Sequence, residues 1–277
     1  MLFRTRLSLT LLAGCIFFTT SYARAGEALK ITYQDVGKGK PLVLIHAFPT
    51  DKRLWLPQQS LQRYFRVITL DLPGFGDAPA TNGQAITMTE YADAIKQLLD
   101  KLQIKQAIIG GESMGGYIGL AFLKKYPQTV TGLILANTQT LADEPSAKIE
   151  RARLADEVMA KGSASLIKKF LANALSPHAS PKTRQALNEI VTEQSPQAIA
   201  SALRGMALRE DTTQVLADTN LPILIITGDA DTVISPKQSQ RMQRFAKNSK
   251  LIILRAGHLS NLEQAEKWNQ AVIARFN

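Results

Sequence analysis

The run Ala107-Ile108-Ile109-Gly110-Gly111-Glu112-Ser113-Met114-Gly115-Gly116-Tyr117 decides how the rest of the chain is read. An apolar, strand-like segment, Ala107–Gly110, meets a helix-like segment, Tyr117–Tyr126, across a Gly-x-Ser-x-Gly turn. In that setting the serine occupies a sharp, strained turn that exposes its Oγ. Gly111 and Gly115 leave room for neighbouring backbone, and the helix start beneath contributes oriented N–H groups and a partial positive charge. The tripeptide pattern alone is common by chance. Placed between a buried strand and a helix, it marks Ser113 as a candidate nucleophile.

Working outward, apolar and β-branched runs recur at Pro41–His46, Arg66–Asp71, Gly132–Ala136, Ile223–Thr227 and Leu251–Leu254. Leu29–Val36 reads as an earlier strand leading into a Gly37-Lys38-Gly39 turn. The central runs are continuously hydrophobic, as expected of parallel strands covered on both faces. Helical patterns fall between them. Thr87-Met88-Thr89-Glu90 is a capping box followed by Tyr91, Ile95, Leu98, Leu99 and Leu102 along one face. Ser235-Pro236-Lys237-Gln238 opens a second helix with proline at its first position, and Ser260-Asn261-Leu262-Glu263 is expected to open the last. The alternation predicts an α/β fold with a doubly wound, mostly parallel sheet. Residues 139–220 break it: they show no convincing strand and read as helices punctuated by Gly162, Pro177, Pro181 and Pro196. The expectation is a helical lid inserted before the penultimate strand, with 26–138 and 221–277 forming the core.

Serine is a poor nucleophile without a base. The chain has three histidines, His46, His178 and His258. His258, in Ala256-Gly257-His258, follows the last strand, on the sheet edge where ligands bind in such folds. His178 sits between lid prolines and reads as a surface residue, and His46 ends an early strand and reads as a loop-shaping residue. An acid must orient the base, and Gly228-Asp229-Ala230-Asp231 follows the penultimate strand. Either aspartate suits by type. Asp231 lies farther out toward the His258 loop, and Asp229, nearer the strand end, suits the acceptance of backbone N–H bonds. An oxyanion needs preorganised donors. The Met114 N–H, one past the serine, is the first. The second is assigned to the Phe48 N–H in Ile45-His46-Ala47-Phe48-Pro49, because Pro49 has none to give.

The His46–Pro49 loop, the turn Asp71-Leu72-Pro73-Gly74-Phe75-Gly76, the serine turn, the Asp229–Asp231 segment and the Ala256–His258 loop together resemble the α/β-hydrolase superfamily over residues 28 to 277. The tail from Ala256 to Gln264 is similar to oxoadipate enol-lactonases and their neighbours, which include carboxylesterases and cofactor-free haloperoxidases. The resemblance implies Asp231 as the acid and the order Ser113, Asp231, His258. Many members carry His-Gly where this chain has His46-Ala47, a methyl that narrows the oxyanion loop. The resemblance also implies hydrolysis of a small ester, lactone or related acyl compound with no metal or organic cofactor. Two alternatives use the same residues: perhydrolysis with peroxide in place of water, and ligand sensing on a hydrolase scaffold. Epoxide and haloalkane hydrolysis are disfavoured, since those chemistries usually need a carboxylate where this chain has Ser113. Trp55, Phe75 and Tyr117 lie near these segments but read as core. Arg151 and Arg153 read as a solvated helix face.

The 277 residues are 45% apolar and carry a formal charge of +10. There is no basic block, zinc-finger spacing or basic-aromatic motif that would point to nucleic acid. The first 25 residues read as an export signal, with Arg4 and Arg6, an apolar run from Leu7 to Phe18, and Ala23-Arg24-Ala25 as a small-x-small cleavage site. Loss of this segment leaves about +7, because Arg4, Arg6 and Arg24 leave with it. The protein is then periplasmic or secreted. Leu12-Ala13-Gly14-Cys15 competes as a lipoprotein signal, with the membrane as a partner only if Cys15 is lipidated. Cys15 is the only cysteine, so a chain cut after Ala25 forms no internal disulfide. Intact-mass analysis of soluble and membrane fractions is expected to find a chain beginning at Gly26. A species beginning at a diacylated Cys15 reverses that expectation.

Overall fold

The computed structural model describes residues 29–277; the expected export signal and Cys15 lie outside the described residues. The described residues form seven strands: β1 (Thr32–Val36), β2 (Lys40–Ile45), β3 (Phe65–Asp71), β4 (Ala107–Glu112), β5 (Val130–Ala136), β6 (Ile223–Gly228) and β7 (Ser249–Leu254). They form one sheet in the order β1-β3-β2-β4-β5-β6-β7. Only β1 runs antiparallel, against β3, and every other pairing is parallel. The continuous apolar runs explain this arrangement: residues 42–45, 107–112 and 223–228 are buried throughout. Strands buried on both faces need helices on both faces.

The helices are α1 (Met88–Lys101), α2 (Met114–Lys125), α3 (Pro145–Lys161), α4 (Ala164–Ala174), α5 (Pro181–Thr192), α6 (Pro196–Ala207), α7 (Thr213–Asp218), α8 (Pro236–Phe245), α9 (Ser260–Glu263) and α10 (Ala265–Phe276). A 3-10 segment, Lys52–Arg63, follows β2. Register shows which face each covers. Gly119 of α2 faces Ile109 of β4, whereas Gly132, the register partner of Ile108, faces Phe276 of α10. Neighbouring strand residues point to opposite faces, so α2 and α10 lie on opposite sides of the sheet. Trp55 of the 3-10 segment and Trp268 of α10 pack together at 5.5 Å, both buried. The Thr87 capping box forms: its Oγ accepts the Glu90 N–H, and the Glu90 carboxylate accepts the Thr87 N–H.

Five helices, α3–α7, lie between β5 and β6, and they meet the loops that leave the carboxyl ends of the strands. Gln194 donates to Asp51 at 2.8 Å and accepts the Gly76 N–H at 3.0 Å. The Leu259 N–H donates to the Ala174 carbonyl at 3.1 Å. On the core side, the buried Asp71 carboxylate accepts from Thr32 Oγ, the Lys52 backbone and ammonium, and the Asp77 N–H. That one side chain joins β1 to the loops after β2 and β3.

Two expectations need correction. The first strand begins at Thr32 rather than Leu29, because pairing with β3 starts at Thr32 opposite Asp71. Ser260–Glu263 does not open the last helix; it forms the separate one-turn helix α9, and α10 starts at Ala265. Ser260 Oγ donates to Asn137 and the Glu263 carboxylate accepts the Gly257 N–H, so neither side chain caps a helix. Gln264, at φ −128° and ψ 46°, breaks the helical path between them.

Candidate active site

Strand β4 runs to Glu112, two residues past the expected end, so Ser113 follows directly at the first residue off the sheet. Its backbone adopts φ 55° and ψ −114°, a region that side-chain-bearing residues rarely occupy. The turn closes this tightly because nothing fills the adjacent space. A Cβ on Gly111 would lie 2.1 Å from the Gly115 carbonyl group, and one on Gly115 would lie 2.1 Å from the Ile45 carbonyl oxygen. The Ser113 N–H donates to Ala136 of the neighbouring strand at 2.8 Å, and its carbonyl accepts from Thr138 Oγ at 2.8 Å.

Three of the singled-out side chains converge. Ser113 Oγ lies 2.8 Å from His258 Nε2, and His258 Nδ1 lies 2.9 Å from an Asp231 oxygen. With Nδ1–H donating to the carboxylate, Nε2 is free to accept the serine proton. The other Asp231 oxygen accepts the Val233 and Ile234 N–H groups, each at 2.9 Å. Burial raises the Asp231 pKa, but the His258, Asn137 and backbone hydrogen bonds outweigh it and hold the carboxyl below its ordinary value. The group is therefore ionised at neutral pH. Ser113 is 8% exposed and His258 is 1% exposed, so the trio is nearly closed to solvent.

Met114 is the first residue of α2, and its N–H has no carbonyl one turn earlier to bond. Phe48 lies in the loop after β2, whose Ile45 and His46 carbonyls press on Gly115. Both donors assigned to an oxyanion thus belong to segments that touch at the serine turn.

Asp229 does not reach His258; its carboxylate accepts the Ala256 N–H at 3.1 Å. It is Asp231 that accepts the N–H groups of the turn, so one carboxylate both orients the histidine and closes its own loop. His46 is buried, with Nδ1 on the Ala47 carbonyl at 2.9 Å and Nε2 accepting the Leu72 N–H at 3.1 Å. Burial lowers its pKa, and the neutral ring pins two loops together. His178 is exposed beside Arg255 at 3.3 Å. Trp55, Phe75 and Tyr117 are buried. Arg151 pairs with Asp143 at 2.5 Å, and Arg153 with Glu150 and Glu157 at 2.8 Å each.

Sequence reading missed three residues around the trio. Asn137, at the end of β5, donates to Asp231 at 2.9 Å and to the Gly257 carbonyl at 3.2 Å, and accepts from Ser260 Oγ at 2.6 Å. Glu263 accepts the Gly257 N–H at 2.7 Å and the Ser176 N–H at 3.0 Å, and also takes the Ser176 hydroxyl. Glu112 is fully buried, and neither of its oxygens has a hydrogen-bond partner. Burial pushes its pKa well above the usual carboxylate range and the Asp231 charge adds to this; the Ser260 N–H, outside hydrogen-bond geometry, offsets only part. The site therefore favours the protonated form of Glu112. The available signal for Asn137 was its place at a carboxyl strand end, where polar side chains meet ligands.

A family model described as alpha/beta hydrolase fold matches residues 40–265. The 3-oxoadipate enol-lactonase 1 of Acinetobacter baylyi is 28% identical over 89% of this chain and 92% of its own length. The dihydrolipoyllysine-residue acetyltransferase component of the acetoin cleaving system of Pseudomonas putida is 31% identical over 85% of this chain, which spans only 63% of that protein. Among solved structures, a thermophilic esterase from Thermogutta terrifontis has a TM-score of 0.86 and 32% identity, covering 88% of this chain and 92% of its own.

Two outcomes follow from the site. In Asp231→Asn the amide oxygen can keep the turn while the amide nitrogen faces His258 and Asn137 donors. We expect a folded protein whose kcat falls by roughly 10⁴, the size of a wrong-tautomer effect. Asp229→Asn is expected to change stability by about 1 kcal/mol and leave turnover intact. Kinetics and thermal melts on both decide, and the reverse pattern exchanges the roles. For Glu112, the folded chain keeps a proton that the unfolded carboxyl releases, so stability is lost as pH rises above the ordinary carboxylate range. The melting temperature of Glu112→Gln relative to wild type is expected to climb as pH rises above the ordinary carboxylate range. A difference that does not change with pH means Glu112 titrates normally.

Proposed function

The chain belongs to the alpha/beta hydrolase fold family, and on that premise we propose that it cleaves small carboxylic esters or lactones through an acyl-enzyme on Ser113. The observation that carries this reading is the hydrogen-bonded line from Ser113 Oγ through His258 to Asp231 at the carboxyl edge of the sheet. In the proposed cycle His258 Nε2 takes the serine proton as Oγ attacks the carbonyl carbon. The ionised Asp231 holds the ring in the Nδ1–H form and stabilises the imidazolium. The Phe48 and Met114 N–H groups receive the developing oxyanion. His258 then returns the proton to the leaving alkoxide, which in a lactone stays attached to the acyl group. Water, deprotonated by the same nitrogen, releases the acid.

The named relatives support the substrate class: one is called an enol-lactonase and one an esterase. The near closure of Ser113 supports a small substrate, with the helices between β5 and β6 acting as a lid that must move to admit it. A screen of p-nitrophenyl esters of graded chain length with a lactone panel tests this. The expected result is the highest kcat/KM on short acyl groups, and a loss of several orders of magnitude in Ser113→Ala at unchanged melting temperature. Wild-type-like turnover by Ser113→Ala overturns the nucleophile. A preference for emulsified long-chain triglycerides overturns the small-substrate reading.

A further inference from the structure

The positive charge of this protein is unevenly placed. Between Asp231 and Glu263 the sequence holds Lys237, Arg241, Arg244, Lys247, Lys250 and Arg255 and no acidic residue. All six are exposed. Elsewhere on the surface several cations sit in ion pairs: Lys96 with Asp100, Lys124 with Glu210, Lys125 with Asp93, Arg66 with Asp35 and Arg204 with Asp156. None of the six has a carboxylate partner among the described residues. Lys237, Arg241 and Arg244 are spaced to share one face of α8, opposite the buried Ser239 and Met242. The others continue across the turn and along β7, the edge strand of the sheet. Nearby acids are engaged elsewhere: Asp218 on α7 accepts from Gln214, Asp229 accepts the Ala256 N–H, and Glu263, which lines a hollow together with Arg255, accepts the Gly257 and Ser176 N–H groups.

Large apolar side chains protrude within this basic region. Val233 is 47% exposed, Phe245 38% and Ile253 50%. Arg241 lies over the Phe245 ring at 5.4 Å, so one helix turn presents a cation and an aromatic ring together. Burying these side chains removes apolar surface from water, and the cations around them require an anionic partner. A protein interface core fits poorly, because such cores are depleted of lysine and contiguous in their apolar contact. Single apolar wedges ringed by lysine and arginine match the headgroup layer of a charged bilayer, where stems lie against acyl chains and charges meet phosphates.

We propose that the α8–β7 edge is a docking surface for an anionic lipid bilayer. Val233 is two residues from Asp231, so docking brings the membrane beside the rim of the site. The proposal does not depend on the hydrolase reading.

The test is co-sedimentation of the purified protein with vesicles of phosphatidylcholine alone or mixed with phosphatidylglycerol. Heparin serves as a soluble polyanion, and a soluble p-nitrophenyl ester reports on integrity. Of the two kinds of vesicle, binding is expected only to those with phosphatidylglycerol, and it is expected to weaken with added salt. The combined variant Lys237→Gln, Arg241→Gln, Arg244→Gln is expected to bind these vesicles roughly 100-fold more weakly, with ester turnover unchanged. Phe245→Ser is expected to weaken vesicle binding while leaving heparin binding alone. Binding that is absent, equal on neutral vesicles, or unchanged in the triple variant overturns the proposal. So does binding to heparin without binding to vesicles, which assigns the surface to a soluble polyanion.

Discussion

The fold of this protein is organised around one strained residue. Ser113 holds a backbone conformation that an isolated chain would leave, at a cost of order 1–3 kcal/mol. It stays there because the surroundings leave no alternative. The β2 carbonyls press on Gly115, Gly115 presses on Gly111, and Ala136 of β5 takes the Ser113 N–H. Strand order does the same work at larger scale. With β4 between β2 and β5, the serine turn emerges between two parallel neighbours and can be gripped from both sides.

Much of this was legible because the signals are local. Continuous apolar runs are buried parallel strands, and alternating helical runs cover them. Thr87–Glu90 is a capping box in sequence and in space. Strand ends slipped by one to three residues, since the limit of a strand depends on its neighbour: β1 begins where β3 offers Asp71. Ser260-Asn261-Leu262-Glu263 misled because it has the spacing of a helix start. Its serine and glutamate are instead drawn off by Asn137 and Gly257, contacts across 123 and 6 residues respectively that no local pattern encodes.

Ser113, Asp231 and His258 could be nominated from sequence because each sits in a short motif at a strand end. Their supports could not. Asn137 is one polar residue after an apolar strand, Glu263 reads as part of a helix start, and Glu112 looks like the variable position of the serine turn. Only the assembled sheet turns these three into an orienting amide, a bridging carboxylate and a buried acid without a hydrogen-bond partner. The choice between Asp229 and Asp231 rested on two residues of strand geometry together with the family resemblance, and the structure divides them by destination: one carboxylate reaches Ala256, the other His258.

Glu263 has a mechanical meaning beyond its hydrogen bonds. Its carboxylate grips Ser176, at the joint between α4 and α5, and Gly257, the residue before His258. The α4–α5 joint and the segment that precedes His258 are therefore fastened to one side chain, so a displacement of either one loads the same carboxylate.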